Sequence, residues 1–308
     1  FLYEKIEKGY QVLKCLSCGF VFVYPQSTAG KELDSYYQDA SAVNDNDLVR
    51  FKKRLSQLKS PIRKAILKEF YGYKNIATTW NNGITKIFVF LLLPFFCKDT
   101  IPFQGRGRIL DIGCGSGLYL SLLKNIGWDV YGVEVNKFAC DYAAKMGVNI
   151  FCGELEKANF TPGFFDVIKI TQVLEHLPST DLVFAQMKRI LKPGGTIYLE
   201  VPNLKSFAAS CFKEKWLGIG GHLTAFSAET LSYIGKKHGL SMKKIRFKSN
   251  KGIILISLNY FWMDKFKCPL PNSILKNKAF YVLIVKPLCA ALNLFHRGDT
   301  ISVRFVIS

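Results

Sequence analysis

The chain has 308 residues, 49% of them hydrophobic, enough to bury one large core with appendages and too many for a disordered protein. A formal net charge of +19 raises the question of a polyanionic partner, but the basic residues are spread over Lys52–Lys68, Lys236–Lys251 and Lys265–Lys278, with no recognisable nucleic-acid-binding module. A lysine-rich solvated face is the favoured reading, with an anionic membrane surface or a phosphate-bearing acceptor as the sharper alternative.

In chain order, Cys15-Leu16-Ser17-Cys18-Gly19-Phe20 is half of a zinc knuckle. A closed zinc site needs four ligands and no second C-x-x-C follows, so residues 1–30 are expected to form a cysteine hairpin without metal. The nine cysteines show no regular framework, and their odd number argues for a reducing compartment, with the cytoplasm as default. The N-terminus lacks both methionine and a signal-peptide pattern, as in a fragment of a longer chain. Residues 31–104 read as a helical lid or linker. Within them, Ile87–Cys97 is an eleven-residue apolar stretch interrupted by Pro94, too short to cross a bilayer.

From residue 105 onward the pattern is strand, helix, strand. Arg108–Ile112, Asp129–Val133, Val148–Cys152, Phe165–Ile170 and Thr196–Val201 are near-continuous apolar runs, as in strands of a parallel sheet covered on both faces. Between them, Leu118–Ile126, Lys137–Met146 and Asp181–Leu191 space apolar residues three and four apart and stop near glycine or proline. A sixth strand is expected over Ser241–Lys248 and a last one over Thr300–Ile307, leaving residues 250–298 as a helical insertion. The insertion contains the seventeen-residue apolar stretch Ala279–Phe295, broken by Lys286-Pro287. Core or lid helices are the favoured reading of both apolar stretches; lying in a membrane interface, or covering a lipid-linked acceptor, is the alternative.

The chemistry concentrates after the first strand. Residues 109–117 read Ile-Leu-Asp-Ile-Gly-Cys-Gly-Ser-Gly, and Glu134 follows Gly117 by seventeen positions at the end of the next apolar run. A glycine turn between strand and helix lets a ligand reach bare backbone, and an acid about twenty residues on suits a ribose diol. The G-x-G-x-G spacing is not the one fitted to a pyrophosphate, and Asp111 ahead of it would repel phosphates. S-adenosylmethionine fits: it has adenosine and a ribose diol, no phosphate, and two cationic centres.

These residues resemble the class I S-adenosylmethionine-dependent methyltransferases. The resemblance continues in order through Gly153-Glu154-Leu155-Glu156, Phe165-Asp166-Val167-Ile168, Val173-Leu174-Glu175-His176-Leu177, Leu191-Lys192-Pro193-Gly194-Gly195 and Val201-Pro202-Asn203, over roughly residues 105–248. Gly221-His222-Leu223-Thr224-Ala225-Phe226-Ser227 looks like the H-L-x-x-F-S segment of a bacterial subgroup associated with small-molecule or glycan modification. Departures are Ile219-Gly220-Gly221, where the subgroup often has a polar stretch with proline and arginine, and Ala225 in place of a frequent second histidine.

The resemblance implies an α/β fold: a Rossmann-like, doubly wound, seven-stranded, mostly parallel sheet with an antiparallel last strand, forming a methyltransferase domain over 105–308. Ligands of such sheets bind beyond the carboxyl ends of the strands, where the order reverses, so residues 111–117, 134, 153–155 and 171–176 are expected to converge. Asp111 would act on the methionine ammonium, directly or through water; Gly113, Cys114, Gly115, Ser116 and Gly117 admit the cofactor; Glu134 with Val135 takes the ribose end. Glu154 and Leu155 would lie beside the adenine, and Thr171 and Gln172 would line the methionyl end. Leu33-Asp34-Ser35-Tyr36-Tyr37 is similar to an aromatic pair that precedes the catalytic domain in the subgroup, for cofactor closure or for packing.

An oxygen or nitrogen acceptor benefits from a base near neutral pH, and histidine is the side chain most readily tuned there. His176, after the fourth strand, and His222, in a glycine-rich loop before a helix capped by Ser227, are the candidates; His238 and His296 read as structural. Family members acting on nucleic-acid amines carry Asp or Asn, then Pro-Pro and an aromatic, where this chain has Thr171-Gln172-Val173-Leu174. The expectation is therefore methyl transfer to a small-molecule, sugar or lipid-linked acceptor, at oxygen, with nucleic acid disfavoured and peripheral membrane contact an option. The alternatives are a sugar C-methyltransferase and a catalytically silent protein serving as a membrane-binding or interaction module.

Overall fold

Eleven strands are present in a computed structural model that describes residues 2–5, 11–24, 45–58, 60–74, 76–78, 100–212 and 221–307. They are β1 (Leu2–Lys5), β2 (Gln11–Lys14), β3 (Val21–Tyr24), β4 (Arg108–Ile112), β5 (Asp129–Glu134), β6 (Asn149–Cys152), β7 (Phe165–Thr171), β8 (Leu191–Pro202), β9 (Thr224–Ala225), β10 (Leu240–Lys248) and β11 (Thr300–Ile307). The Ile87–Cys97 stretch, Tyr36, Tyr37 and the Ile219-Gly220 departure lie outside the described residues.

Seven of the strands form one sheet in the order β10-β11-β8-β7-β4-β5-β6. β4 pairs with β5, and β5 with β6, in parallel, whereas β11 runs antiparallel to β10. This is the expected Rossmann-like α/β sheet with a reversed last strand. All but the first residue of β4 are buried, and β7 is buried throughout Phe165–Ile168, the burial that a strand covered on both faces requires. β8 begins at Leu191, five residues before the expected Thr196. Leu191 is 2% exposed and Lys192 Nζ bonds Asp166 Oδ1 at 2.7 Å, which hold the Pro193-Gly194-Gly195 segment against the sheet instead of letting it turn away.

The chain divides into two compact units, Gln38–Lys169 with Arg189–Thr196, and Phe1–Tyr37 with Ile170–Lys188 and Ile197–Ser308. In the first, helix Leu118–Lys124 buries Leu120–Leu123, and helix Lys137–Lys145 buries Ala139, Cys140 and Ala143 behind an N-cap in which Asn136 accepts from Ala139 N. An aromatic trio, Tyr73, Phe103 and Trp128, closes this unit's core: Trp128 Nε1 donates to Tyr73 Oη at 3.0 Å, which itself donates to Ile101 O at 2.7 Å.

In the second unit, β1, β2, β3 and β9 make a four-stranded sheet, so the cysteine hairpin is not a free appendage. Val21 and Phe22 pair with Ala225 and Thr224, and the Phe20 and Phe226 rings meet edge to face at 5.9 Å. Ser227 caps helix Ala228–Lys237 by accepting from Thr230 N. His238 ends that helix, bonded to Asp181 Oδ1 at 2.9 Å, and the His296 ring stacks on Phe247, both packing roles.

The segment between β10 and β11 is helical, from Lys251–Phe266 to Lys286–Leu294. A π-helical turn, Tyr281–Val285, precedes Pro287, which cannot donate a backbone N–H. Ile256, Phe261, Met263, Phe266, Leu283, Ile284, Leu294 and Phe295 of this segment are exposed. No helix among the described residues is long and apolar enough to cross a membrane.

Candidate active site

The end of β4 and the glycine turn meet the end of β5. Gly113 N and Cys114 N donate to Val133 O at 2.8 and 3.2 Å. Glu134, 7% exposed, then secures the turn: its Oε2 accepts from Gly115 N at 2.8 Å, and its Oε1 accepts from Val135 N and Asn136 N, both at 2.9 Å. A carboxylate offers about four acceptor sites, so one on Oε2 is left for a ligand hydroxyl. Gly153 N donates to Glu134 O at 2.8 Å, bringing the segment after β6 to the same place. There Glu154 is exposed and paired with Lys157 at 2.8 Å, Leu155 is buried, and Val135 presents an exposed apolar side chain beside the acid.

The glycines of the turn have different reasons to be glycine. Gly115 has φ +53° and nothing within 4 Å of where a Cβ would stand, so open space faces the backbone there. Gly117, at φ +70°, has no such space: a Cβ would lie 2.8 Å from Ala143 Cβ, so this position is dictated by helix packing. Ser116 lies between them in the turn. The Cys114 thiol is pushed far up by burial and then by Asp111 and Glu134, which makes it inert as a nucleophile.

Asp111 is 2% exposed, and both its oxygens are held by Lys169 Nζ, at 2.9 and 3.1 Å. Burial raises its pKa, and Lys169 opposes that rise. Lys169 is a partner that sequence reasoning missed, because 58 residues separate the two. It also lies over the Tyr119 ring, 4.8 Å from the centroid.

β7 ends at Thr171, and Gln172 follows with φ +55°, a conformation that costs a non-glycine residue on the order of 1 kcal/mol. Its N–H donates to Glu200 O at 2.8 Å. The turn Leu174–His176 then places three side chains together. The His176 and His222 rings lie 5.0 Å apart, His176 Nδ1 is 3.4 Å from Gly221 O, and Glu175 is 1% exposed with no hydrogen-bond partner at either carboxylate oxygen among the described residues. Leu223 N donates to Glu175 O, and Val23 N of the cysteine hairpin donates to Leu223 O, so the hairpin braces this cluster.

Burial lowers the pKa of both histidines, with His176 lowering that of His222 further, to about 4. Both are therefore neutral near pH 7. Burial pushes the Glu175 carboxyl up to about 7. Glu175 had no assigned role in the sequence reading, although an acid inside the apolar run Val173–Leu177 was the signal for it. Cys15 and Cys18 flank the β2–β3 turn, and among the described residues no further Cys, His, Asp or Glu completes a ligand set with them.

Residues 87–245, more than half of the chain, match the family described as a methyltransferase domain. The chain belongs to this family of class I S-adenosylmethionine-dependent methyltransferases. Curated relatives include the ubiquinone biosynthesis O-methyltransferases of Methylococcus capsulatus, 28% identical over 40% of this chain and 55% of that protein, and of Colwellia psychrerythraea, 33% identical over 32% and 44%. The chain spans about half the length of the curated relatives it matches. It is also similar to the solved structure of a SAM dependent methyltransferase from Archaeoglobus fulgidus, at 19% identity, covering 72% of this chain and 92% of that one with a TM-score of 0.46.

The methyltransferase's cofactor is S-adenosylmethionine, and the cradle around the glycine turn fits it. The open space at Gly115, the spare acceptor site on Glu134 and the exposed Val135 offer room, a hydroxyl partner and an apolar surface, with Asp111 and Glu134 as the nearby acids.

Proposed function

We propose that this methyltransferase methylates an oxygen of a small-molecule acceptor, sugars and lipid-linked compounds included. The observation that carries the reading is the pair of half-buried imidazoles, His176 and His222, 5.0 Å apart with Glu175 beside them, because an unprotonated imidazole can accept the proton a hydroxyl must lose. The names of the curated relatives, O-methyltransferases, support the same atom.

The bound cofactor supplies an electrophilic sulfonium methyl. Gly113–Gly117 give close backbone approach, Glu134 with Val135 takes the ribose end, Glu154 and Leu155 flank the adenine, and Thr171 and Gln172 line the methionyl end. Asp111 serves the ammonium as an already neutralised Asp111–Lys169 pair, so its pull is weaker than that of a free carboxylate. His176 and His222 are the candidate bases, while the chain's larger task is to align acceptor and methyl in a dry pocket.

The exposed Phe261, Phe266, Leu283 and Phe295, among lysines 251, 265, 267, 276, 278 and 286, favour a second element: peripheral contact with an anionic membrane, which would deliver a lipid-linked acceptor. A screen of phenolic, sugar and prenylated acceptors for labelled methyl uptake, followed by NMR of the product, tests the proposal. An O-methyl product is expected; a C-methyl product, or no transfer to any hydroxyl by cofactor-bound protein, contradicts it.

A further inference from the structure

We infer that Glu175, His176 and His222 form a binding site for one divalent transition-metal ion, with a coordination position left open for an acceptor oxygen. One ligand atom from each lies within 4.8 Å of the others, although Glu175 and His222 are 47 residues apart in sequence. Two ligands about 2.0–2.1 Å from one ion can be at most about 4.2 Å apart, so small side-chain rotations complete the set.

The independent observation is Glu175. Glu175 is 1% exposed, brings a carboxylate oxygen within 4.8 Å of a nitrogen of each imidazole, and has no donor on either oxygen among the described residues. A buried polar group without a partner is costly, and a cation held jointly with two neutral nitrogens removes that cost. The surroundings suit such an ion. Leu174 and Leu223, the chain neighbours of Glu175 and His222, are at most 2% exposed, and Gly221 O at 3.4 Å from His176 Nδ1 orients that ring with Nε2 available. Leu223 N on Glu175 O holds the His222 loop against the Glu175 turn at 2.8 Å.

Two imidazoles and one carboxylate select an ion of the zinc, cobalt or iron class over calcium or magnesium, which prefer all-oxygen shells. Three protein ligands also leave the fourth position that catalytic zinc sites keep open. An acceptor hydroxyl bound there would lose its proton more easily, the ion then doing what the two imidazoles, now its ligands, would do as free bases in the metal-free site. That role rests on the O-methylation reading; metal binding itself does not.

The test titrates zinc sulfate into the metal-stripped full chain by calorimetry, alongside a Cys15→Ser/Cys18→Ser variant that removes the thiol pair. One equivalent should bind in both, and Glu175→Gln and His222→Ala should each weaken it by more than the roughly 10- to 100-fold typical of an outer-shell loss. Cobalt in place of zinc should give visible absorption bands that vanish in the same variants. S-adenosylmethionine affinity, measured on each variant, reports whether the fold survives; if Glu175→Gln fails to fold, His222→Ala decides. Absence of binding, binding lost with the cysteines, or binding unchanged in the folded variants overturns the site. Zinc bound by a chain that does not bind S-adenosylmethionine would overturn the methyl-transfer reading and leave the site standing.

Discussion

Glu134 does two jobs with one carboxylate, holding three backbone N–H groups and keeping one acceptor site for ribose. In Glu134→Gln the amide offers one oxygen and turns an NH2 toward backbone donors, so S-adenosylmethionine affinity should fall at least about tenfold, as one lost charge-assisted bond implies. Unchanged affinity in calorimetry would refute the ribose role. The glycines separate by readout. Gly117→Ala should lower the melting temperature the more, because Ala143 stands in the way, whereas Gly115→Ala should mainly weaken cofactor binding. Lys169→Met leaves Asp111 as a buried unpaired charge and should cost about 3–5 kcal/mol in denaturant unfolding, most of it restored by adding Asp111→Asn. The glycines, Asp111 and Glu134 were legible because their spacing is local to one strand–turn–helix unit. Lys169 was not, because only the pairing of distant strands brings it to Asp111.

At the scale of elements, strands buried on both faces announce themselves as apolar runs, and six of the seven expected strands of the large sheet start within a residue of where the sequence placed them. β9 carries no such signal: two residues, Thr224 and Ala225, have no period, and only β3 gives them a partner. The junction of the insertion with β11 holds Asp299, 1% exposed, whose Oδ2 accepts from Asn250 N at 2.7 Å. Burial pushes its pKa from 3.8 to about 6. A raised carboxyl pKa means the folded state binds the extra proton, so stability falls as pH rises from about 4 to about 6 and the loss is complete above that. Asp299→Asn should therefore melt higher than the parent at pH 7.5 and lose that advantage at pH 4. Parallel melting curves at both pH values would contradict this origin.

For the whole molecule, the net charge of +19 and the exposed apolar residues of the insertion act in the same direction. The chain should float with vesicles containing anionic phospholipid and not with neutral ones, and Phe261→Ser/Phe266→Ser should reduce that binding; equal flotation with both vesicle types would remove the charge argument. Composition raised this possibility, but only the fold shows which apolar residues of the insertion stay uncovered. Calorimetric titration of the 308-residue chain with S-adenosylmethionine asks whether the turn Gly113–Gly117 with Glu134 binds it. A single saturable site with a Kd on the order of micromolar, weakened by Glu134→Gln, is predicted. If folded protein shows no saturable binding, the turn and Glu134 do not hold this cofactor.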